Sequence, residues 1–447
     1  MGIFVWQVYI YGACCVHLCI YVVLSMEYMK KAIIQIEYDV IVIGGGASGL
    51  MAAGGAALQG KKVLVLEKND ELCKKLSITG GGRCNITNAT FGVREFLRSY
   101  GDSGKFLFSS FSQFGVQDTF KFFESRRLPL VTEARNRVFP KSQKASDVTR
   151  VMKQYVDHKN ITIIKNNAVL KMNMDEGVGK IRSVKTKRGT YMAESYILAT
   201  GGASHAETGS TGDGFKWLRD IGHTVKEPSP SIVPLRVLEH WVRKLSGTSL
   251  SFMKITFFAE GKKAFSKIGK ILFTHFGISG PLVLNSARQV ADLLHEGKVT
   301  ATIDCYPDTE IAAVEKNILK VFDEHKNKSF KNIVKEIVPQ GLSDTLLESG
   351  IVSDTETKVH SISREERKRI VQFLKAMPLT IGGLMGMDRA VISDGGVPLS
   401  EVDMRTMKSK KLSNLYFTGD ILHINRPSGG YSLQLCWTTG YVAGLLG

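Results

Sequence analysis

Gly44-Gly45-Gly46-Ala47-Ser48-Gly49, followed 18 residues after Gly49 by Glu67, is the pattern in this chain with the most definite chemistry. The spacing is G-x-G-x-x-G. At such a turn Gly44 permits the tight bend, Gly46 lets backbone amides approach a pyrophosphate, and Gly49 allows close helix–strand contact. The Glu67 carboxylate then stands where it can accept hydrogen bonds from a ribose diol. Glycines serving only a tight turn would leave the acid without a role.

The flanking residues supply the elements such a site needs. Tyr38–Ile43 is a continuous apolar, β-branched run, the pattern of a strand buried on both faces of a parallel sheet. Leu50–Leu58 is rich in Ala and Gly and reads as a helix able to lie close to that sheet, with its positive N-terminal end at the phosphates. Val63–Leu66 is a second buried strand ending at Glu67. A glycine fingerprint alone is weak evidence; framed by two buried strands and an acid it specifies a dinucleotide-binding βαβ unit.

Two more strands end in glycine: Tyr196–Thr200 runs into Gly201-Gly202, and Leu415–Thr418 runs into Gly419-Asp420. Instead of further regular βα units, the chain after Glu67 enters Lys74–Asn88, where Gly80-Gly81-Gly82 is flanked by Thr79, Arg83 and Asn85. Glycine-ended strands distant in sequence, with an extended polar loop, suit a single FAD-type cofactor better than a nicotinamide alone.

Composition bounds the alternatives. The chain has 447 residues, 43% hydrophobic and 23% charged, enough for two or three domains and typical of globular proteins. Net charge is +17, and Lys121–Arg188, with 17 basic and 6 acidic residues, holds +11 of it. Such a field favours anionic partners without choosing among nucleotide, nucleic acid and lipid surface. The seven cysteines include no C-x-x-C, which argues against structural zinc and a thiol–disulfide enzyme, so no metal is expected. Met1–Ser25 contains no Lys, Arg, Asp or Glu. It reads as sequence upstream of a cytoplasmic start at Met26 or Met29, as a membrane anchor, or as a packed segment; membrane contact is expected only through it.

The middle of the chain changes character. Short apolar runs from Ser231 to Gln289, with Val299–Ile303, suggest an antiparallel β unit. Ile311, Val314, Ile318 and Val321 then share one helical face, as do Phe330, Ile333, Val334 and Ile337. The expected fold class is α/β: a Rossmann-like FAD-binding domain, a parallel sheet with flanking helices, interrupted by an inserted β-barrel-like plus helical domain. The expected divisions are an N-terminal segment 1–35, FAD domain 36–226, insert 227–378, and FAD domain again 379–447.

Together these stretches resemble the two-dinucleotide-binding-domain flavoproteins and, more closely, the BaiN-like (aminoacetone oxidase-like) family of FAD-dependent oxidoreductases. The triple-glycine Thr79–Asn88 motif and Gly419–Gln434 carry that resemblance more specifically than the fingerprint does. It implies that Gly44, Gly46, Ala47, Ser48 and Gly49 face the FAD pyrophosphate, and Glu67 and Lys68 the AMP ribose. Thr79, Gly80, Gly81 and Asn85 would follow the ribityl–flavin region, Val169 the adenine, and Thr200 and Gly201 the AMP half. Gly419 and Asp420 would take the ribityl or pyrophosphate portion. Gly430, Tyr431, Ser432, Leu433 and Gln434 would open the last helix toward the flavin pyrimidine edge, where a helix N-terminus stabilises the charge of reduced flavin. Three positions depart from the family pattern: Asp420 where Glu is common, Ser432 where Asn is usual, and the His423–Pro427 stretch with Arg426.

Candidate catalytic groups are His275, as general acid or substrate contact, and Tyr431, as proton donor near the flavin. Arg83 and Lys75 could hold an anion, and Cys84 beside Arg83 invites a lowered thiol pKa. The expected function is hydride transfer between flavin N5 and a small organic substrate in the cytoplasm: an enone-type C=C reductase using transient NAD(P)H, or an amine oxidase. An FAD-dependent RNA-modifying enzyme and a membrane-tethered, quinone-linked dehydrogenase are the alternatives from other classes. Nucleic acid is not the expected partner, because the basic stretch lacks interleaved aromatics for base stacking.

Overall fold

Val40, Ile41 and Val42 have no solvent exposure, as a strand covered on both faces requires. The computed structural model describes residues 36–446 apart from position 176, so the expectations for Met1–Ser25 lie outside the described residues. Strands β1 (Ile36–Ile43), β2 (Val63–Leu66), β3 (Ile161–Ile164), β4 (Thr190–Leu198) and β5 (Leu415–Phe417) lie in the order β5-β4-β1-β2-β3, each parallel to its neighbours. Register sets their ends level: Ile43 pairs with both Leu66 and Leu198, and Leu198 with Phe417. Gly44, Glu67, Ala199 and Thr418 therefore leave the sheet along one carboxyl edge, where open α/β sheets bind ligands. An antiparallel pair, Val169–Asp175 and Lys180–Thr186, extends this sheet from β4.

Two helices lie against one another beside that edge. Helix α1 (Ala47–Leu58) follows the glycine turn, and α2 (Tyr431–Leu446) closes the chain. A methyl group added at Gly440 would come within 2.5 Å of the Ser48 carbonyl oxygen, and one at Gly444 within 2.5 Å of the Ala52 oxygen. The backbones meet there with no room for a side chain. Polar groups fix the register of α2: Trp437 Nε1 donates to the Ile86 oxygen at 3.0 Å. Gln434 Oε1 accepts from Thr87 and Thr119 hydroxyls at 2.6 and 2.9 Å.

The insert is a closed barrel of six antiparallel-paired strands, Leu235–Val237, Gly277–Ser279, Lys262–Thr274, Ser249–Ala259, Val299–Asp304 and Met377–Leu384. Period-two burial fills it with Ile255, Phe257, Ile271, Phe273, Ala301, Ile303 and Leu379, as half-buried strands demand. The closing strand carries the chain across position 378 before it returns, because the barrel lacks its sixth member without it. Incoming and returning segments, Lys226–Pro230 and Ser393–Gly396, pair with one another.

Helices cover the barrel. In Phe330–Ile337 the buried face is Phe330, Ile333, Val334 and Ile337, as the spacing indicates. In Ile311–Glu324 it is Val314, Ile318 and Phe322, whereas Ile311 is 61% exposed. The i, i+4, i+8 line of Val314, Ile318 and Phe322 forms the buried face, with Val321 partly buried beside it. Among the described residues no helix is long and apolar enough to cross a membrane.

Candidate active site

A cleft runs along the carboxyl edge of the sheet, the place where open α/β sheets take their ligands. Its floor is the glycine turn. Gly44 sits at φ +109°, and a Cβ there would lie 2.5 Å from the Ala199 oxygen, so only glycine fits between β1 and β4. A Cβ on Gly49 would lie 2.0 Å from the Gly44 oxygen, whereas one on Gly46 would meet nothing within 4 Å. Gly46 thus turns its bare backbone to the cleft. It is also the N-cap of α1, which has neither a side-chain cap nor an acid in its first turn. The amides at this end have an unopposed positive dipole for an anion.

Glu67 is buried and already oriented. Its Oε2 accepts from the Gly45 amide at 2.7 Å and its Oε1 from the Asn69 amide at 2.8 Å. The carboxylate clamps the glycine turn to the loop after β2, and each oxygen keeps a lone pair for a diol. Lys68 beside it bonds Asp213 at 2.8 Å and Thr211 at 2.5 Å. Asn69, Thr211 and Asp213 also line the cleft. Sequence reasoning did not single out these three; the glycine-and-hydroxyl run Ser210–Gly212 before a helix was the available signal.

At the other end Lys75, half-buried, donates to the Ser204 carbonyl and hydroxyl oxygens at 2.7 and 3.1 Å. Burial lowers its pKa from the ordinary lysine value, and the nearby Asp420 carboxylate opposes that shift. Asp420 in turn pairs with Nη2 of Arg426, whose side chain is 1% exposed. Arg426 Nε donates to Ser432 Oγ at 3.1 Å and Nη1 to the Ile424 oxygen at 2.6 Å. Asp420, Arg426 and Ser432 are thus one bonded group, whereas His423 lies beside Asp394.

The cleft gathers Gly44, Gly46, Ala47, Ser48, Glu67, Lys68, Thr79, Val169, Thr200, Gly201, Asp420, Ser432 and Leu433 into one lining. The other expected residues lie off it. Gly49 and Gly419 pack beneath the turn, Gly419 against Ser48. Gly80 and Gly81 adopt left-handed backbone, φ +60° and +67°, in the loop that Thr79 begins. Gly430 packs on the Thr87 backbone. Gln434 is fully buried in the hydroxyl network that anchors α2. Tyr431 packs its ring on Phe96 and Tyr100, with centroids 4.8 and 6.1 Å apart.

His275 lies elsewhere, exposed in the turn between barrel strands and edge-on to Phe276. Arg83 points away to Glu133 and Gln143 and stacks on Phe139 at 4.1 Å. Cys84 reverses its expectation: the thiol has no exposure, and burial pushes its pKa up to about 12 despite a hydrogen bond with Thr79. No group of three or more potential metal ligands occurs among the described residues.

The lining fits FAD. Thr200 Oγ1, in the lining, is buried without a hydrogen-bond partner, a costly state that a polar ligand would relieve; Asn85 lies off the lining with its Oδ1 likewise unpartnered. With the uncapped α1 terminus, bare Gly46 and the Glu67 clamp, the donors and acceptors match a pyrophosphate flanked by a ribose.

Fold and cleft together define an FAD-dependent oxidoreductase on a Rossmann-type frame. Comparison with known proteins gives the family: the chain belongs to the one described as HI0933-like protein Rossmann domain, whose model matches residues 38–446. It is 30% identical over 407 residues to the 3-dehydro-bile acid delta(4,6)-reductase of Clostridium scindens, covering 90% of this chain and 97% of that protein. It is 28% identical to the ribosomal RNA dihydrouridine synthase of Haemophilus influenzae, covering 91% and 97%. The resemblance to BaiN-like flavoproteins is borne out. Among solved structures, the 3-ketosteroid-delta4-(5alpha)-dehydrogenase of Rhodococcus jostii superposes with TM-score 0.54 at 14% identity, over 93% of this chain and 98% of that one. A flavocytochrome c3 fumarate reductase gives 0.52 at 15%, over 94% and 79%. At such identities the likeness is of fold.

Proposed function

We propose that this enzyme reduces a carbon–carbon double bond conjugated to a carbonyl, using NAD(P)H as donor. The cleft carries the reading: one continuous FAD-type lining, and no second G-x-G-x-x-G unit in the sequence, so a nicotinamide would have to visit the same opening. The chemistry implied by the relatives' names agrees. A 3-oxo bile acid with Δ4,6 unsaturation and a uridine that becomes dihydrouridine each gain two hydrogens across a C=C conjugated to C=O.

When bound, FAD supplies hydride at N5. The chain's own part is to hold the pyrophosphate on the amides of Gly46–Ser48, the ribose diol on Glu67, and the far end beside Lys75 and Asp420. Anaerobic NADH or NADPH should bleach the flavin, and an enone should restore its colour. Bleaching by an amine, with no response to nicotinamide or enone, would establish the oxidase instead.

A second reading, with uridine in RNA as acceptor, is favoured by the +11 excess over Lys121–Arg188 and by the rRNA-modifying relative. Against it, the aromatics of that stretch are occupied. Phe123 and Phe139 are buried, and Arg126 covers Phe122 and Tyr155 at 3.9 and 4.8 Å. RNA binding that weakens steeply with salt would support it, since phosphate contacts release counterions.

A further inference from the structure

Asn285, in the insert, bonds the loop that opens α2. It follows the short helix Pro281–Leu284, and its own amide donates to the Pro281 oxygen at 3.2 Å. The Lys267 ammonium, on the barrel strand Lys262–Thr274, donates to the Asn285 carbonyl at 2.9 Å. Fixed through its backbone, Asn285 reaches out of the insert with its side chain. Its Oδ1 accepts from both the amide and the hydroxyl of Ser428, each at 2.9 Å.

Ser428 begins a turn that the FAD domain holds from the other side. Gly429 and Gly430 sit at φ +117° and +101°, and a Cβ on Gly430 would lie 2.2 Å from the Thr87 backbone. The Gly429 oxygen accepts from Asn88 Nδ2 at 3.2 Å, and the same nitrogen donates to the Arg135 oxygen at 3.0 Å. Arg135 and Asn136 are two successive non-glycine residues in the left-handed region, φ +63° and +56°, a conformation kept only where surrounding contacts impose it. Arg135 also returns to the insert: a Cβ added at Gly269 would lie 3.3 Å from its Nη2. Insert and FAD domain therefore meet on either side of Ser428–Gly430.

Helix α2 starts at the next residue. The Gln434 amide donates to the Gly430 oxygen at 3.1 Å, so the amides of Tyr431, Ser432 and Leu433 precede the first intrahelical bond. Ser432 and Leu433 line the cofactor cleft, and the first turn of α2 holds no acid. Its positive end is unopposed.

Resting on the reading that sets the pyrimidine edge of FAD at this terminus, we propose that Asn285 is a positioning residue through which the seating of the insert governs how readily the flavin accepts hydride. The insert joins the FAD domain by the paired segments Lys226–Pro230 and Ser393–Gly396, a two-strand stalk that would take up a tilt. With the insert seated, Asn285 holds Ser428 and the α2 amides stay aimed at the flavin edge, where they stabilise the negative charge of the reduced state. With the insert lifted, Ser428 loses both bonds to Asn285 and the amides lose that aim. Hydride acceptance is thereby favoured in the closed molecule.

The test uses the full FAD-loaded chain and sulfite, without turnover. The sulfur lone pair bonds to flavin N5 and pushes an electron pair onto N1–C2=O, which bleaches the visible band, so the sulfite dissociation constant reports charge stabilisation at that edge. Asn285→Ala should raise this constant by roughly threefold to tenfold, the scale of a charge at a helix terminus. FAD affinity should stay within about twofold, because Gly46–Ser48 and Glu67 hold the cofactor at a separate place. Ser428→Ala, which loses only the hydroxyl bond, should raise the sulfite constant by roughly twofold to threefold. Added to Asn285→Ala it should change nothing further, since residues acting through one contact are not additive. In the FAD-free chain, hydrogen exchange over Ser428–Gly430 should be faster in Asn285→Ala. Equal sulfite affinity in the parent and Asn285→Ala, even with faster exchange, overturns the proposal. So does a full additional effect of Ser428→Ala in the Asn285→Ala background. Failure of the reductase reading would look different: the sulfite results hold, but NAD(P)H leaves the flavin coloured or no enone reoxidises it.

Discussion

Asp420 and Arg426 form a nearly buried ion pair, with 14% and 1% of their side chains exposed, on the wall of the cofactor cleft that Asp420 lines. Ser432 completes it through the Arg426 Nε bond. Removing one partner of such a pair strands a buried charge, which typically costs about 3–5 kcal/mol. Asp420→Ala should therefore lower the unfolding free energy of the FAD-free protein by that order, read from denaturant titration. Asp420→Glu, which keeps the charge, should lose much less. Equal stability of the two variants would mean that the pair does not hold this wall.

Glu67 tests the cofactor end. Both its oxygens take backbone amides before any ligand arrives, so Glu67→Ala leaves two donors unpaired and removes the diol acceptor. Hydrogen bonds to a charged group are worth about 1.5–3 kcal/mol, and FAD affinity should fall by roughly tenfold to a hundredfold. Glu67→Gln should fall between. Quenching of FAD fluorescence on titration measures both.

The contact between α1 and α2 predicts a packing defect that reaches the cofactor. Gly440→Val would drive side-chain atoms into the Ser48 backbone and Met51 Cβ. Overpacking of this kind costs about 1–3 kcal/mol. Because Ser48 belongs to the phosphate-facing turn of α1, FAD affinity should drop together with the unfolding midpoint. A loss of stability with unchanged FAD binding would separate the helix pair from the site.

Acid should destabilise the protein through a network remote from the cleft. His223 is fully buried between Glu401 at 2.6 Å and Ser409 at 3.0 Å, and burial lowers its pKa from 6.5 even though Glu401 opposes this. Burial also raises the Glu401 carboxyl, but hydrogen bonds from Lys411, Thr224 and His223 outweigh it and hold the pKa at about 2. In each case the unfolded chain binds its proton first, so stability falls as pH drops. The histidine contribution begins below 6.5, and the Glu401 contribution is lost from 4.5 toward 2. The melting temperature should fall through both windows, and Glu401→Gln should remove the lower one.

The pyrophosphate and ribose end was legible in the sequence because its signals are local. Buried parallel strands are continuous apolar runs, and Gly44–Gly49 and Glu67 take their meaning from the strands they terminate. The convergence of Thr200 and Asp420 was legible through the same strand-into-glycine pattern, which the level register of β1, β4 and β5 then accounts for. The far end was not. Arg426 stood out only as a departure, since its meaning depends on contacts with Asp420, Ile424 and Ser432 made inside a folded loop. Cys84 misled because its cationic neighbour Arg83 turns outward to Glu133, leaving the thiol in an apolar interior. His275 sits at an exposed turn that no periodicity could orient.

The most direct test of the central claim is an anaerobic visible spectrum of the purified protein, taken before and after NADH or NADPH and again after an enone. A flavin spectrum that bleaches with the nicotinamide and returns with one equivalent of enone is the expected result. Colourless, folded protein that refuses added FAD would contradict it.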